Sequence, residues 1–248
     1  EIFTGQDTRM HLKKITFQHQ KYPVDDAYPF NLDLVHANTE ITFNEPITLF
    51  VGENGTGKST LLRAICLRCG VHIWQFAKGP RVETNHYAKE LYKCLDVEWL
   101  DGPVPGAFFA SQIFQDFSDL LDEWASSDPG ILNYFGGSSL VTKSHGQSLM
   151  SYFKSLYQTR GLYFLDEPET ALSPKSQLEL LKTLQKHSQD GHAQFIIATH
   201  SPIILACPEA QIYSFDSMPV EPIDYEATEL FQIYRDFMHD RRKYLDTD

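Results

Sequence analysis

The sequence has no long hydrophobic run and no apolar segment at its start. A membrane-spanning helix needs roughly 18 to 20 uninterrupted apolar residues, and no apolar run in the 248 residues approaches that length. Residues 1–10 also lack the apolar core of a signal peptide. We therefore expect a soluble, cytoplasmic protein with no direct membrane insertion.

Basic residues are scarce relative to acidic ones. The chain carries 21 lysines and arginines against 33 aspartates and glutamates, a net charge of −12. This deficit argues against a chain that holds nucleic acid by bulk positive charge, because that affinity comes from Lys and Arg displacing counterions. Residues 209–248 contain ten acidic and four basic residues, and we expect an acidic C-terminal extension there. A role on nucleic acid would then need a partner that supplies the basic surface.

Cysteines are few. Cys66, Cys69, Cys94 and Cys207 are too scattered for a disulfide framework in a chain of this length. Cys66 and Cys69 have the C-x-x-C spacing of a metal site, but no second pair follows at zinc-finger spacing. Reduced thiols that pack a helix are the favoured interpretation, and a structural metal is the alternative.

The hydrophobic pattern predicts one α/β domain over residues 1–248. Hydrophobic content of 42% and aromatic content of 13% are globular values, and no repeat or linker divides the chain. Alternating runs predict half-buried strands of an antiparallel β layer at residues 11–18, 31–35 and 40–43. Continuous apolar runs predict strands of a mainly parallel core sheet at residues 47–51, 107–110, 161–165 and 194–198.

The spacing of apolar residues predicts helices between these strands. A helix is predicted from Lys58 to about Leu67, and leucines at positions 178, 181 and 184 predict another. The second helix lies between two buried strands, as in a βαβ unit with a right-handed crossover. The stripe formed by Phe114, Phe117, Leu121 and Trp124 indicates a small helical subdomain at about residues 113–150.

The strongest chemical signal is a glycine-rich loop. Residues 52–59 read G-E-N-G-T-G-K-S, a complete G-x-x-x-x-G-K-[ST] match between a buried strand and a helix. Backbone N–H groups that point inward, together with the helix N-terminus, form a nest for phosphate oxygens. Lys58 would bridge the β- and γ-phosphates, and the Ser59 hydroxyl would bind Mg²⁺. The predicted nucleotide-binding residues are Gly52, Glu53, Asn54, Gly55, Thr56, Gly57, Lys58, Ser59 and Thr60.

Two carboxylates, Asp166 and Glu167, follow the apolar run 161–165. In a parallel sheet, ligands bind at the carboxyl ends of the strands. Asp166 would hold the magnesium through its water shell, and Glu167 would polarise the attacking water. The alternative to this functional role, for two adjacent acidic residues taken alone, is the end of a strand that simply meets solvent.

Three more segments complete a recognisable order of motifs. Residues 143–148 read K-S-H-G-Q-S, residues 168–174 read P-E-T-A-L-S-P, and residues 198–202 read A-T-H-S-P. In this order they resemble the LSGGQ signature, the D-loop and the switch histidine of ABC-type ATPases. The resemblance covers residues 52–202 and implies ATP and Mg²⁺ as ligands.

The resemblance also implies further site residues. In this family two subunits sandwich two ATP molecules, so Ser144 would donate its hydroxyl and Gly146 its N–H to the partner's γ-phosphate. His200 would hydrogen-bond the γ-phosphate and the attacking water. Gln112, rather than Gln115, would be the Q-loop glutamine and a metal ligand.

The signature departs from the family pattern at two positions. Lys143 replaces a leucine and His145 replaces a glycine, which puts close backbone approach at that point in doubt. His145 would either contact phosphate or only fill space. Tyr22 and Tyr28 are candidates to stack on adenine, with a place in the core as the alternative for each.

The residue sequences of these motifs are similar to those of a stand-alone "predicted ATPase" group related to SMC and RecF heads. The leading hypothesis is an ATP-hydrolysing enzyme that forms a homodimer on ATP and acts on nucleic acid or a partner protein. One alternative is the ATP-binding subunit of a membrane transporter. The other is a nucleotide-sensing regulator with negligible turnover.

Overall fold

Residues 10–73, 85–111 and 145–245 of a computed structural model are described, and they form two β-sheets flanked by helices. The strands are β1 (Leu12–Phe17), β2 (Glu40–Thr42), β3 (Ile47–Val51), β4 (Leu95–Trp99), β5 (Gly106–Ala110), β6 (Gly161–Asp166), β7 (Ala193–Ala198), β8 (Gln211–Ser214) and β9 (Glu221–Pro222). The α-helices are α1 (Asp33–Ala37), α2 (Lys58–Arg68), α3 (His145–Leu156), α4 (Pro174–Gln189), α5 (Pro202–Leu205), α6 (Glu229–His239) and α7 (Arg242–Leu245).

The core sheet has six strands in the order β5-β6-β7-β3-β8-β9. All neighbours pair in parallel except β8 and β9, which pair antiparallel. Every residue of β3, β6 and β7 is buried, as expected for strands covered on both faces. The predicted parallel core sheet is confirmed.

The smaller sheet is antiparallel, with the order β2-β1-β4, and confirms the predicted antiparallel layer for runs 11–18 and 40–43. The predicted strand at residues 31–35 is wrong, because this segment leads into helix α1. Leu34, in α1, and Phe30, in the turn before it, are both fully buried. Val35 is also buried, and a strand would have turned it to the opposite face. The third strand is instead β4.

Helix α4 is the crossover of the predicted βαβ unit. Ser173 caps its N-terminus by accepting the N–H of Ser176, and Pro174 occupies the first turn, where a missing N–H is tolerated. Leu180 and Leu184 are fully buried, whereas Leu178 lies on the solvent side. The helix therefore turns its apolar stripe towards the sheet and joins β6 to β7.

Alternate residues of the buried strands face two hydrophobic clusters. Phe50 faces the cluster that contains α2, and Leu49 faces the one that contains α3 and α4. Cys66 and Cys69 are free thiols in the first cluster, which confirms their predicted packing role. Burial raises the pKa of the Cys69 thiol to about 12.

Two predicted segments are described only in part. Most of the helical subdomain, residues 113–144, lies outside the described residues, and its last residues begin α3. Residues 209–248 include β8 and β9, so the expected extension is corrected: its first part completes the core sheet. None of the helices in the described ranges combines the length and apolar character that crossing a bilayer requires.

A buried glutamine joins the two sheets. Gln194, on β7, is fully buried, and its Oε1 accepts the N–H groups of His11 and Leu12, each at 2.8 Å. Its Nε2 donates to the Leu12 carbonyl at 2.9 Å, and the His11 ring lies 2.9 Å from the His192 carbonyl. Both polar atoms of the Gln194 side chain are thus paired.

The junction makes stability sensitive to mild acid. Burial lowers the pKa of His11 below its ordinary value of 6.5, although the hydrogen bond to His192 opposes the shift. The unfolded chain therefore takes up the proton first, so this contribution is present above about pH 6.5 and is lost as pH falls through the folded pKa. We expect the thermal midpoint to fall from about pH 7.5 to about pH 5.5, and to fall less in His11→Gln. Parallel curves for the two proteins would contradict this.

Candidate functional site

The carboxyl ends of four neighbouring parallel strands, β6, β7, β3 and β8, meet at one edge of the core sheet. The glycine-rich loop follows β3, and Asp166 ends β6. Thr199 and His200 follow β7, and Asp216 follows β8 within two residues. Segments that are far apart in the sequence therefore form one site at this edge.

The glycine-rich loop leaves helix α2 without a side-chain cap. Its N-cap is Gly57, which has left-handed backbone (φ 98°), and no side chain accepts the first N–H groups of the helix. A Cβ atom on Gly57 would lie 2.8 Å from Leu34 Cδ2, and the left-handed backbone strains any residue with a side chain at this position. The uncapped N–H groups and the positive end of the helix dipole form a nest that suits phosphate oxygens.

Lys58 folds back over this loop. Its Nζ donates to the carbonyl oxygens of Gly52 at 2.5 Å and Glu53 at 2.7 Å, and the residue is only 4% exposed. Burial lowers the pKa of Lys58, while the carboxylates of Glu167, Asp216, Glu53 and Asp166 oppose the shift. A cation held this way lies within reach of a phosphate chain bound in the loop.

Ser59 and Asp166, two of the three predicted metal ligands, are in contact. Ser59 Oγ donates to Asp166 Oδ1 at 2.7 Å, and Arg63 binds Asp166 Oδ2 through Nη2 at 3.0 Å and Nε at 3.3 Å. A hydroxyl and a buried carboxylate are oxygen ligands of the kind that Mg²⁺ prefers, so the donor set fits the predicted ion. Sequence reasoning missed Arg63, whose signal was its place four residues after Ser59 on α2. Gln112, the third predicted ligand, lies outside the described residues.

Glu167 and His200 face each other. Glu167 Oε1 lies 3.7 Å from His200 Nε2. Glu167 has left-handed backbone (φ 48°), rare for a residue with a side chain and typical of positions that the surrounding structure holds in place. Its N–H donates to the Ala198 carbonyl at 2.9 Å. Burial and Lys58 lower the pKa of His200, so its ring is neutral at neutral pH.

A second glutamate, Glu169, holds the histidine segment. Its Oε1 accepts the backbone N–H of His200, and the Thr199 side chain also hydrogen-bonds this carboxylate. Burial raises the pKa of Glu169 despite these bonds. Sequence reasoning assigned no role to Glu169, although its place two residues after Glu167 was a usable signal. The turn after β6 is thereby fixed to the segment after β7.

The two candidate tyrosines differ. Tyr22 packs on Phe30 with ring centroids 5.1 Å apart, and its hydroxyl donates to the Val35 carbonyl at 2.9 Å. Tyr28 is 42% exposed, and its hydroxyl lies 2.8 Å from Thr60 Oγ1, beside the glycine-rich loop. Tyr28 is therefore the tyrosine available to a ligand of the loop.

The signature residues are described only in part. Ser144 lies outside the described residues. Gly146 lies in the first turn of α3, which begins at His145. The glycine-rich loop, the Asp166–Glu167 pair and His200 are thus brought together. Of the signature segment, only the part from His145 onwards lies within the described residues.

Comparisons with known proteins agree with this site. A family model described as "AAA domain" matches residues 34–87, and one described as "AAA domain, putative AbiEii toxin, Type IV TA system" matches residues 147–206. The petrobactin import ATP-binding protein of Bacillus anthracis is 22% identical over 220 residues, which is 80% of each chain. The ferric enterobactin transport ATP-binding protein of Escherichia coli is 24% identical over 203 residues, 75% of this chain and 70% of that one.

A solved structure is also similar. The SMC head domain from Thermotoga maritima is 16% identical, with a TM-score of 0.44, over 87% of this chain and 100% of that one. The ordered motifs, their assembly at one edge of an α/β sheet and the matches to AAA models and ATP-binding relatives support one assignment. The assignment that they support is an ABC-type P-loop ATPase.

Proposed function

We propose that the protein binds ATP with Mg²⁺ and hydrolyses it to ADP and phosphate. One observation carries the proposal: Lys58, the Ser59–Asp166 pair and the Glu167–His200 pair lie together at one edge of the core sheet. These groups supply a phosphate cradle, a metal site and a carboxylate near a neutral imidazole. Phosphoryl transfer to water needs positioning, charge neutralisation and a group that orients the nucleophile.

Each residue has a chemical task in this proposal. The loop N–H groups and Lys58 bind the β- and γ-phosphates. Ser59 and Asp166 hold Mg²⁺, which when bound neutralises charge on the phosphate oxygens. Glu167 accepts a proton from the attacking water while the water oxygen forms a bond to the γ-phosphorus. The bond between the γ-phosphorus and the bridging oxygen breaks, and that oxygen leaves with ADP. His200 hydrogen-bonds the γ-phosphate and holds the water in line.

Tyr28 is the proposed platform for the nucleobase. Tyr28→Ala should weaken ATP binding about tenfold, since stacking of a base on an aromatic ring contributes about 1 to 3 kcal/mol. Tyr28→Phe keeps the ring and should bind like the parent protein. Calorimetry with ATP and with inorganic tripolyphosphate separates the base from the phosphates. Equal weakening of both ligands would show that Tyr28 does not contact the base.

We extend the proposal to a homodimer that closes on two ATP molecules, with Ser144 and Gly146 acting across the interface. It is supported by the resemblance of residues 143–148 to the family signature and by the start of α3 at His145. The dimer would act on nucleic acid or a partner protein in the cytoplasm, where ATP and Mg²⁺ are available. The net charge of −12 favours a partner that provides the basic surface.

The test is the ATP turnover rate of the full chain, alone and with single- or double-stranded DNA. Lys58→Ala gives the background rate. Stimulation by DNA supports the nucleic-acid role. Turnover no faster than in Lys58→Ala would overturn hydrolysis and favour a nucleotide sensor.

A transporter subunit is the second candidate function. Relatives at 22% and 24% identity are named as import and transport ATP-binding proteins, which is the observation that favours it. Turnover that DNA leaves unchanged, but that a co-purified membrane permease stimulates, would identify this function. The same assay with and without detergent-solubilised permease therefore separates the two candidates.

A further inference from the structure

We propose that Asp216 is a positioning residue that fixes the peptide between Gly52 and Glu53 at the start of the phosphate loop. The inference rests on the proposed binding of ATP by that loop. Asp216 lies outside residues 52–202, which carry the resemblance to the family, and it is 163 positions from Glu53 in the sequence.

The geometry begins with the pairing of β8 and β3. Val51 is the register partner of Ser214, and Phe215 N–H donates to the Val51 carbonyl at 2.8 Å. The two chains thus remain side by side where the loop begins. At the next step, Asp216 Oδ1 accepts the N–H of Glu53 at 2.7 Å, so a side chain takes over from the backbone ladder.

The loop and the Asp216 segment fit closely. Gly52 has φ 147°, and a Cβ atom there would lie 2.9 Å from Asp216 Oδ1 and 3.0 Å from Phe215 Cβ. Phe215 is 1% exposed and packs on Phe50 with ring centroids 4.9 Å apart. The acceptor is therefore carried by a segment that is anchored in the hydrophobic core.

Two opposite charges hold a single peptide unit. The Gly52 carbonyl accepts from Lys58 Nζ, and the N–H of the same peptide, on Glu53, donates to Asp216. When Lys58 turns to bound phosphates, the carbonyl loses this partner. Asp216 retains its bond and keeps the peptide, and hence the entrance of the loop, in the orientation that receives ATP.

The negative charge of Asp216 lies beside the proposed phosphate site, where it repels the nucleotide and by itself weakens ATP binding. Asp216 also lies close enough to Lys58 and His200 for its charge to favour the protonated form of each. If its main effect were this charge, removing it would strengthen ATP binding. If its main effect is the bond to Glu53, removing it weakens binding, and the two roles predict opposite signs.

The experiment compares Asp216→Asn, which keeps an oxygen acceptor of the same reach, with Asp216→Ala, which removes it. Calorimetry with Mg²⁺ and ATP on the full chain should show about tenfold weaker binding for alanine and a change within about twofold for asparagine. Asp224→Ala, another exposed aspartate beyond β9, is the matched control and should bind like the parent. Asp216 is exposed, so we expect every variant to fold.

A second readout needs no nucleotide. Hydrogen exchange of the segment around Glu53, measured without ATP, should be faster in Asp216→Ala and unchanged in Asp216→Asn. Tighter ATP binding in both variants, or equal weakening in both, would overturn the positioning role. If the parent protein does not bind ATP but the exchange difference is present, Asp216 remains a positioning residue and the proposed function fails instead.

Discussion

Glu167→Gln is expected to lower ATP turnover by at least about 100-fold, because a positioned general base contributes about 10²- to 10⁴-fold to such a reaction. The amide keeps the shape of the side chain and tolerates the same backbone, so the left-handed conformation at φ 48° is preserved. ATP affinity should stay within about twofold of the parent, since Lys58 and the loop bind the phosphates. Phosphate release and calorimetry measure the two effects separately.

The same variant tests the proposed dimer. With hydrolysis removed, ATP remains bound, so Glu167→Gln should elute as a dimer in ATP and Mg²⁺ and as a monomer without them. Glu226→Gln, an exposed glutamate outside the site, is the matched control and should retain full turnover. A Glu167→Gln monomer in saturating ATP would exclude the sandwich, while unchanged turnover would exclude Glu167 as the base.

The sequence predicted the parts of the site that local patterns encode. The glycine-rich loop and the Asp166–Glu167 pair each follow an unbroken apolar run, and parallel strands place such segments at a common edge. Both segments were therefore expected at this edge, and the Mg²⁺ that Ser59 and Asp166 were predicted to share placed these two residues close together. Long-range pairs have no such signal, which is why the contact of Asp216 with Glu53 was missed.

The wrong strand at residues 31–35 has a related cause. Five residues are too few to separate a two-residue period from a helical one. What decides the conformation is tertiary: Leu34 packs against Gly57 of the phosphate loop and is almost fully buried. A helix brings the adjacent residues Leu34 and Val35 to the core together, whereas a strand would turn them to opposite faces.

Lys58→Ala is expected to weaken ATP binding by about 100-fold, because it removes charge-assisted hydrogen bonds worth about 1.5 to 3 kcal/mol each. The free protein should be affected differently. Burial of the ammonium group disfavours its charged form, so removing it relieves a desolvation cost while leaving the Gly52 and Glu53 carbonyls without that donor. We therefore expect little change in the thermal midpoint without nucleotide and the loss of the rise that ATP produces.

Two further variants determine whether charge or position matters at this site. Lys182→Ala removes an exposed lysine of α4 and should leave the ATP-induced rise in thermal midpoint unchanged. Lys58→Arg keeps the charge, but its planar guanidinium does not fit a position that is 4% exposed and bonded to two carbonyls. We expect the Lys58→Arg variant to bind ATP nearly as weakly as the Lys58→Ala variant. Parent-like affinity in Lys58→Ala would show instead that the backbone N–H groups of the loop hold the phosphates without Lys58.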